Sequence, residues 1–393
     1  FGWRVGINEP GWYRGLPSTP SRRQLGMLHT SQALGGSASS VTPWFSALLG
    51  VLLRWPGIEG PEVAHESEQS MTPSELLAVL NKRLEFQREL FGRSSSSPVY
   101  RYPVNWQLRD SRTLRIAVIQ GLLPTYDDFN IHKLDGLSAS PYRAQHRNHT
   151  AALLRLAAKK LGAYESLRGG PHKPVVDLVV LPEYAIHVDD QDLLRAFSDE
   201  TGAMLHYGLL GAQHPSTGAH TNAARWLIPV RTARRRSWIE VDQGKLHLTE
   251  EELALGVTKW CPYRVVIDLR LNGTTGYRMV GAICYDATDL SLAADLRNES
   301  HMFVVPAFNK DVKTFDSMVA ALRYHMYQHV VICNTGEFGG SSAQAPYDEE
   351  YRRTISHAHG VRQIAVSVFD IAVDDFGPAL MAAARGSVAS GTK

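Results

Sequence analysis

From residue 113 to residue 373 the chain alternates short apolar runs with helical segments, and this alternation limits the fold more than any other feature. "TLRIAVIQ" (113–120) reads as a strand by its β-branched content, and "HRNHTAALLRLAAKKLGAY" reads as a helix. "VVDLVVLPEY" is a continuous apolar strand, followed by the helix "DDQDLLRAFSDETG", which Gly202 stops. "AMLHYGLLGAQ" is a strand, and "NAARWLIPV" and "SWIEVDQGKL" are strands around the basic turn "RTARRR". "RMVGAICYD" and "HMFVVPAF" flank the helix "ATDLSLAADLRN"; "FDSMVAALRYHMYQHV" feeds "VVICNT", and "AVSVFDIAV" closes the series. Runs without polar alternation are buried on both faces, so they require helices on either side of a largely parallel sheet. The expectation is a layered α/β fold over 113–373, with a polar tail over 374–393.

Before residue 94 the pattern differs. Three segments, "STPSRRQLGMLHTSQAL", "SSVTPWFSALLGVLLRW" and "SMTPSELLAVLNKRLEFQRELFG", each begin with a hydroxyl residue and proline, a helix start with proline at the first helical position. They predict a small all-α subdomain over 1–93. "RSSSSP" then opens a polar linker, placed at 94–112. The chain starts at Phe1, which suggests one segment of a longer polypeptide.

The balance of 41 basic and 39 acidic residues leaves no global charge to attract nucleic acid or membrane. Up to Arg54, however, Arg4, Arg14, Arg22, Arg23 and Arg54 stand against a single acid, Glu9, a pattern compatible with phosphate contacts. Three cysteines, Cys261, Cys284 and Cys333, have neither paired nor metal-type spacing. That points to a reducing, cytoplasmic compartment and against a disulfide framework or a structural zinc site. No cofactor is expected. The run "WFSALLGVLL" is too short for a membrane span, which takes about 20 residues.

Several strands end in a reactive residue: Glu183 after "VVLP", Lys245 after "VDQG", and Cys284 in "GAICYD". Cys284 reads either as a small core hydrophobe at a strand end or as a nucleophile. As a nucleophile it needs a base such as Glu183 to take its proton. It also needs donors such as the Lys245 ammonium and the Tyr285 backbone N–H to hold an oxyanion. On this reading Lys245 would also favour the thiolate. Lys259, in "GVTKWCP", competes for the lysine role from what reads as a loop. His325 and His329, four apart, are a helical metal pair only if a third ligand joins them.

In this order the motifs "LRIAVIQ", "VVLPEY", "GKLHLTEEE" and "GAICYD" resemble those of the nitrilase superfamily of carbon–nitrogen hydrolases, over about two thirds of the chain. The resemblance implies a four-layer α-β-β-α sandwich and a Glu183–Lys245–Cys284 triad acting through an acyl-enzyme on a small nitrile, amide or carbamoyl substrate. It also implies a second glutamate that positions substrate or water, with Glu252 the best-matching position and Glu251 next, and self-association through outer helices. Two positions depart from the family pattern: Gly244 stands where arginine is usual, and no Phe-Pro follows "CYD". "HMFVVPAFNKDVKTFDS" and "NTGEFGGSSAQAP" further resemble nitrilase-like domains fused behind a reverse transcriptase in bacterial antiviral defence proteins. On that likeness the first three helices would be thumb-like and bind nucleic acid. A competing reading keeps the fold but makes it a small-molecule or nucleotide sensing module, or an oligomerisation module, that regulates an attached nucleic-acid enzyme.

Overall fold

The computed structural model describes residues 99–373 and 375, apart from short breaks at 107–112, 140, 169–174, 215–216, 233–234, 261–263, 272–275 and 297–299. Thr72, Ser74, Leu77 and Ala78 are described in isolation; the three N-terminal helices and the tail expected from sequence otherwise lie outside the described residues. The chain divides into two compact units, Phe1–Ser96 and Ser97–Lys393, and the architecture below belongs to the second.

Two mixed sheets carry this unit. The first has the order β1-β8-β9-β10-β11-β12-β13, from β1 (Val99–Trp106), β8 (Arg264–Leu271), β9 (Tyr277–Gly281), β10 (Met302–Pro306), β11 (His329–Cys333), β12 (Ser341–Gln344) and β13 (Thr354–Ala358). The second runs β14-β2-β3-β5-β6-β7, from β14 (Ala365–Ala372), β2 (Thr113–Gln120), β3 (Leu178–Val180), β5 (Met204–Leu210), β6 (Ala223–Thr232) and β7 (Arg235–Gly244). The short β4 (Ile186–His187) pairs with β5.

Side-chain parity turns the sheets into four layers. On β2, Ala117 and Ile119 point to one face, where they pack with Leu153, Leu154 and Leu161 of α2 (Tyr142–Arg168) and with Leu194 and Phe197 of α3 (Gln191–Thr201). On β11, Val330 and Ile332 face Phe315, Val319 and Leu322 of α6 (Val312–Met326), beside Leu292 of α5 (Leu290–Leu296). The intervening residues face the opposite sheet. Cys333 Sγ donates to Ile119 O at 3.4 Å, and Ser341 Oγ donates to Gln120 Oε1 at 2.7 Å. The fold is therefore α/β, with helices outside and two sheets face to face, as the sequence predicts for this region.

The expected linker at 94–112 needs a correction, because β1 lies inside it. "VYRYPVNW" buries Tyr102, Val104 and Trp106 at every second position and pairs in parallel with β8. Pro103 is tolerated there because β1 is an edge strand, where a missing N–H need not cost a ladder bond. Trp106 Nε1 also donates to the buried Asp177 at 2.8 Å, tying this strand to the other sheet.

One link between the sheets positions the site. Gln243, the penultimate residue of β7, donates through Nε2 to Gly281 O at 2.8 Å and accepts from the Val265 N–H at 3.0 Å. It thereby clamps the end of β7 against the end of β9; Lys245 follows β7 directly, and Cys284 lies three residues beyond the end of β9.

Candidate active site

Glu183, Lys245, Cys284 and Glu252 come together at the carboxyl ends of the strands, where side chains of an open α/β layer can converge. Each arrives by a distinct local device. Glu183 follows β3 by three residues, and its backbone rests on β5 at Gly208. A Cβ at position 208 would lie 2.4 Å from Glu183 Cα, so only glycine allows that approach. Tyr184, next in the chain, takes a positive φ of 58°.

Lys245 is the first residue beyond β7, held by its N–H to Asn222 O at 2.9 Å. The preceding Gly244 has no room for a side chain, since a Cβ would sit 1.4 Å from Trp260 O. This close approach is the physical reason that the position cannot hold arginine.

Cys284 does not end its strand, as the sequence reading has it. β9 stops at Gly281, and Cys284 opens a 3₁₀ turn, Cys284–Thr288, with φ 45°. A non-glycine residue in the left-handed region is strained by about 1–3 kcal/mol and persists only where the surroundings hold it. Asp286 supplies much of that hold. Fully buried, it accepts from the Leu246 N–H (3.0 Å), the His247 N–H (2.7 Å) and Arg264 Nη1 (3.3 Å). The cysteine turn and the segment after the lysine are thus pinned by one carboxylate. In the first turn of such a helix the early N–H groups have no intrahelical acceptor, so the Tyr285 N–H is available beside the thiol. The Tyr285 side chain is half exposed.

Glu252 lies in the first turn of α4 (Glu250–Ala254) and forms a capping box with Thr249. Its Oε2 accepts from the Thr249 N–H (2.9 Å) and Lys245 Nζ (2.7 Å). Its Oε1 accepts from the Tyr184 hydroxyl (2.8 Å) and Asn222 Nδ2 (2.5 Å). Lys245 Nζ also donates to Glu183 Oε1 at 2.9 Å, and Asn222 Nδ2 donates to the same oxygen at 2.6 Å. Both carboxylates, the lysine and the cysteine are almost wholly buried.

Burial pushes the Glu183 carboxyl above its ordinary range; the Lys245 ammonium opposes this and the Glu252 charge adds to it. Burial acts on Glu252 too, but there Lys245 and the N–H donors outweigh it and keep the carboxyl low. Burial disfavours the charged Lys245, yet Glu183, Cys284 and Glu252 together hold its proton more firmly than usual. The Cys284 thiol is pushed well above its usual value by burial and by the Glu183 charge, against the pull of Lys245 and a hydrogen bond from the Phe308 N–H. Lys245 does favour the thiolate, as expected from sequence, but burial and Glu183 outweigh it and the net direction is upward. The surroundings favour the thiol over the thiolate, beside a carboxylate placed to take its proton.

The other sequence candidates fall elsewhere. Lys259 is exposed. Cys261 lies outside the described residues. Cys333 is sealed between the sheets, where burial raises its thiol. His325 is exposed near the end of α6, whereas His329 starts β11 and pairs through Nδ1 with the Tyr277 hydroxyl at 2.6 Å, so the two do not face a common point. Among the described residues no cluster of three or more His, Cys, Asp or Glu is arranged to hold a metal ion, and no helix is long and apolar enough to cross a membrane. Glu251 points away from the site and pairs with Lys310 at 3.2 Å.

Sequence reasoning misses Asn222 and Phe308 as members of this site. Asn222 carries no signal in its own segment, where it is only the residue before an apolar strand. Phe308 contributes its backbone, which no side-chain motif announces.

No family model matches the sequence, and no curated protein matches it. Solved structures do resemble the chain. One is a Saccharomyces cerevisiae member of branch 10 of the nitrilase superfamily, at 14% identity and TM-score 0.48, covering 72% of this chain and 96% of its own. Another is an amidase from Nesterenkonia sp. AN1 in complex with acrylamide, at 16% identity and TM-score 0.46, covering 68% of this chain and 94% of its own. A third is a CN-hydrolase superfamily protein from Xanthomonas campestris with an arsenic adduct in its active site, at 16% identity and TM-score 0.45, covering 72% and 98%.

Proposed function

We propose that this chain carries a carbon–nitrogen hydrolase of the nitrilase type, in which Cys284 attacks an amide, nitrile or carbamoyl carbon. The observation that carries the reading is the buried cluster of one thiol, one ammonium and two carboxylates, with Lys245 bridging Glu183 and Glu252 at 2.9 and 2.7 Å. A structural ion pair would not need a strained cysteine beside it.

With an amide substrate the reaction passes through a thioester. Cys284 Sγ bonds to the carbonyl carbon while its proton passes to Glu183, whose protein donors sit on Oε1 and leave Oε2 for that proton. The raised proton affinity of Glu183 suits it to this work. The ammonium of Lys245 has three donors, two of them spent on the carboxylates, and the third stabilises the developing oxyanion together with the Tyr285 N–H. Glu183 returns the proton to the leaving nitrogen as the C–N bond breaks, leaving a thioester. Water then adds to the thioester, with Glu183 again as base; the C–S bond breaks, and acid and thiol are released. Glu252, with four protein hydrogen bonds already on its oxygens, serves to fix Lys245 and Tyr184.

Ammonia release from short amides by the full chain tests the reading. Release that disappears in Cys284→Ala and in Glu183→Gln supports it, and release that survives Cys284→Ala overturns it. The wider proposal, that this unit belongs to a reverse transcriptase fusion in antiviral defence and that residues 1–93 bind nucleic acid, rests on sequence likeness and on the arginines before residue 55.

A further inference from the structure

The residues around the Cys284 thiol bear on which acyl group it accepts. Phe308, whose N–H bonds the thiol, places its ring against Phe129 (5.4 Å between centroids, interplanar angle 81°) and Phe338 (5.8 Å, 84°). Phe129 in turn meets Tyr184 edge-on at 5.2 Å, and the Tyr184 hydroxyl binds Glu252. An arc of rings thus runs from the second carboxylate through Tyr184 and Phe129 to Phe308 and Phe338. At its far end Phe308 and Phe338 are only half-buried, whereas Phe129 is fully covered. Partly uncovered rings next to a nucleophile offer an apolar seat.

The charges around this arc favour an uncharged occupant. Glu183, Glu252 and Lys245 together leave one surplus negative charge at the thiol. At the rim, Lys310 is engaged by Glu251 at 3.2 Å and stands 5.3 Å over the Tyr126 ring. Glu337, next to Phe338, accepts from the Tyr126 N–H at 2.6 Å, with Asp127 and Asp128 adding negative charge nearby and Arg362 opposing it. A carboxylate-bearing acyl chain would face the repulsion of the site's own carboxylates and of Glu337, Asp127 and Asp128 nearby.

We infer that the substrate of this site is an uncharged amide, or its nitrile or carbamoyl equivalent, whose acyl side chain is apolar and ring-sized and packs on Phe308 and Phe338. This rests on the hydrolase reading but can fail separately from it.

Two measurements on the full chain decide it. In the first, kcat/KM for phenylacetamide is at least about tenfold above that for succinamate, and the ratio of phenylacetamide to acetamide falls about tenfold in Phe338→Ala, with a smaller fall in Phe338→Leu. Equal or faster succinamate hydrolysis, or an unchanged ratio in both variants, overturns the inference. In the second, Cys284 is alkylated by chloroacetanilide and by iodoacetate, each rate normalised to that of glutathione, which requires no turnover. The neutral aromatic reagent is favoured at least about tenfold; preference for the anionic one overturns the inference. If no amide is hydrolysed while the aromatic reagent is still preferred, the hydrolase reading fails and the assignment of an apolar, uncharged ligand stands.

Discussion

Asn222→Leu removes the single amide that donates to both carboxylates while keeping nearly the same volume. Two charge-bearing hydrogen bonds are lost, at 2.6 Å to Glu183 and 2.5 Å to Glu252. Each is worth about 1.5–3 kcal/mol, so the combined loss is roughly 3–6 kcal/mol when both carboxylates are ionised. For a unit of this size the fall in Tm is roughly 6–24 °C. Without the donor, both carboxyls hold their protons more tightly, and the sign of the pH effect follows. The folded variant binds more protons than wild type through the carboxylate range, so its stability deficit is small at acid pH and grows as pH rises. Activity shifts in the same sense. Glu183 must be ionised to act as base, its carboxyl already titrates above the usual range, and the acid limb of kcat/KM moves to still higher pH in the variant. Thermal melts and amide hydrolysis, or Cys284 alkylation, measured across pH give both readouts. A deficit independent of pH together with an unmoved acid limb would refute the reasoning, because it would mean that Asn222 fills space without setting the carboxylates.

Three further outcomes are expected. Lys245→Ala should cost about 10²–10³ in rate as an oxyanion donor disappears, while Lys259→Ala, at an exposed position, should cost little; equal losses would reverse the lysine assignment. Gly244→Ala should destabilise by more than about 1–3 kcal/mol and displace the lysine, since its Cβ would meet Trp260 O at 1.4 Å; a wild-type melt with full activity would contradict the packing. For the self-association expected from the outer helices, light scattering at micromolar concentration should show a dimer, and a clean monomer would count against it; Leu290, 81% exposed at the start of α5, is the first residue to change to aspartate.

Local physics explains which features were legible in the sequence. β2 spans Thr113–Gln120, as its β-branched content indicates, and α3 ends at Thr201, capped by Gly202, whose φ of 76° only glycine adopts freely. Glu183, Lys245 and Cys284 could be nominated because each follows an apolar, strand-like run, whereas Glu252 comes only from the likeness of "GKLHLTEEE" to the family motif. β1 was hidden by its arginine and its proline, and its alternation makes sense only against β8, more than 150 residues later. The helix α1 (Tyr126–Leu137) is broken at Lys133, φ 54°, and carries Gly136, so no regular stripe announces it. Asn222 escapes for a different reason. Its importance comes from two carboxylates on other segments, 39 and 30 residues away, and such proximity exists only after the strands have assembled.

The central claim is that Cys284 is the nucleophile and Glu183 its base. Incubating the full chain with a slowly hydrolysed amide, quenching in acid and mapping the adduct by peptide mass spectrometry tests it directly. The account predicts an acyl adduct on Cys284 alone, strongly reduced in Glu183→Gln because the thiol is a poor nucleophile without its base. An adduct on Cys261 or Cys333, or undiminished acylation of Cys284 in Glu183→Gln, would contradict it.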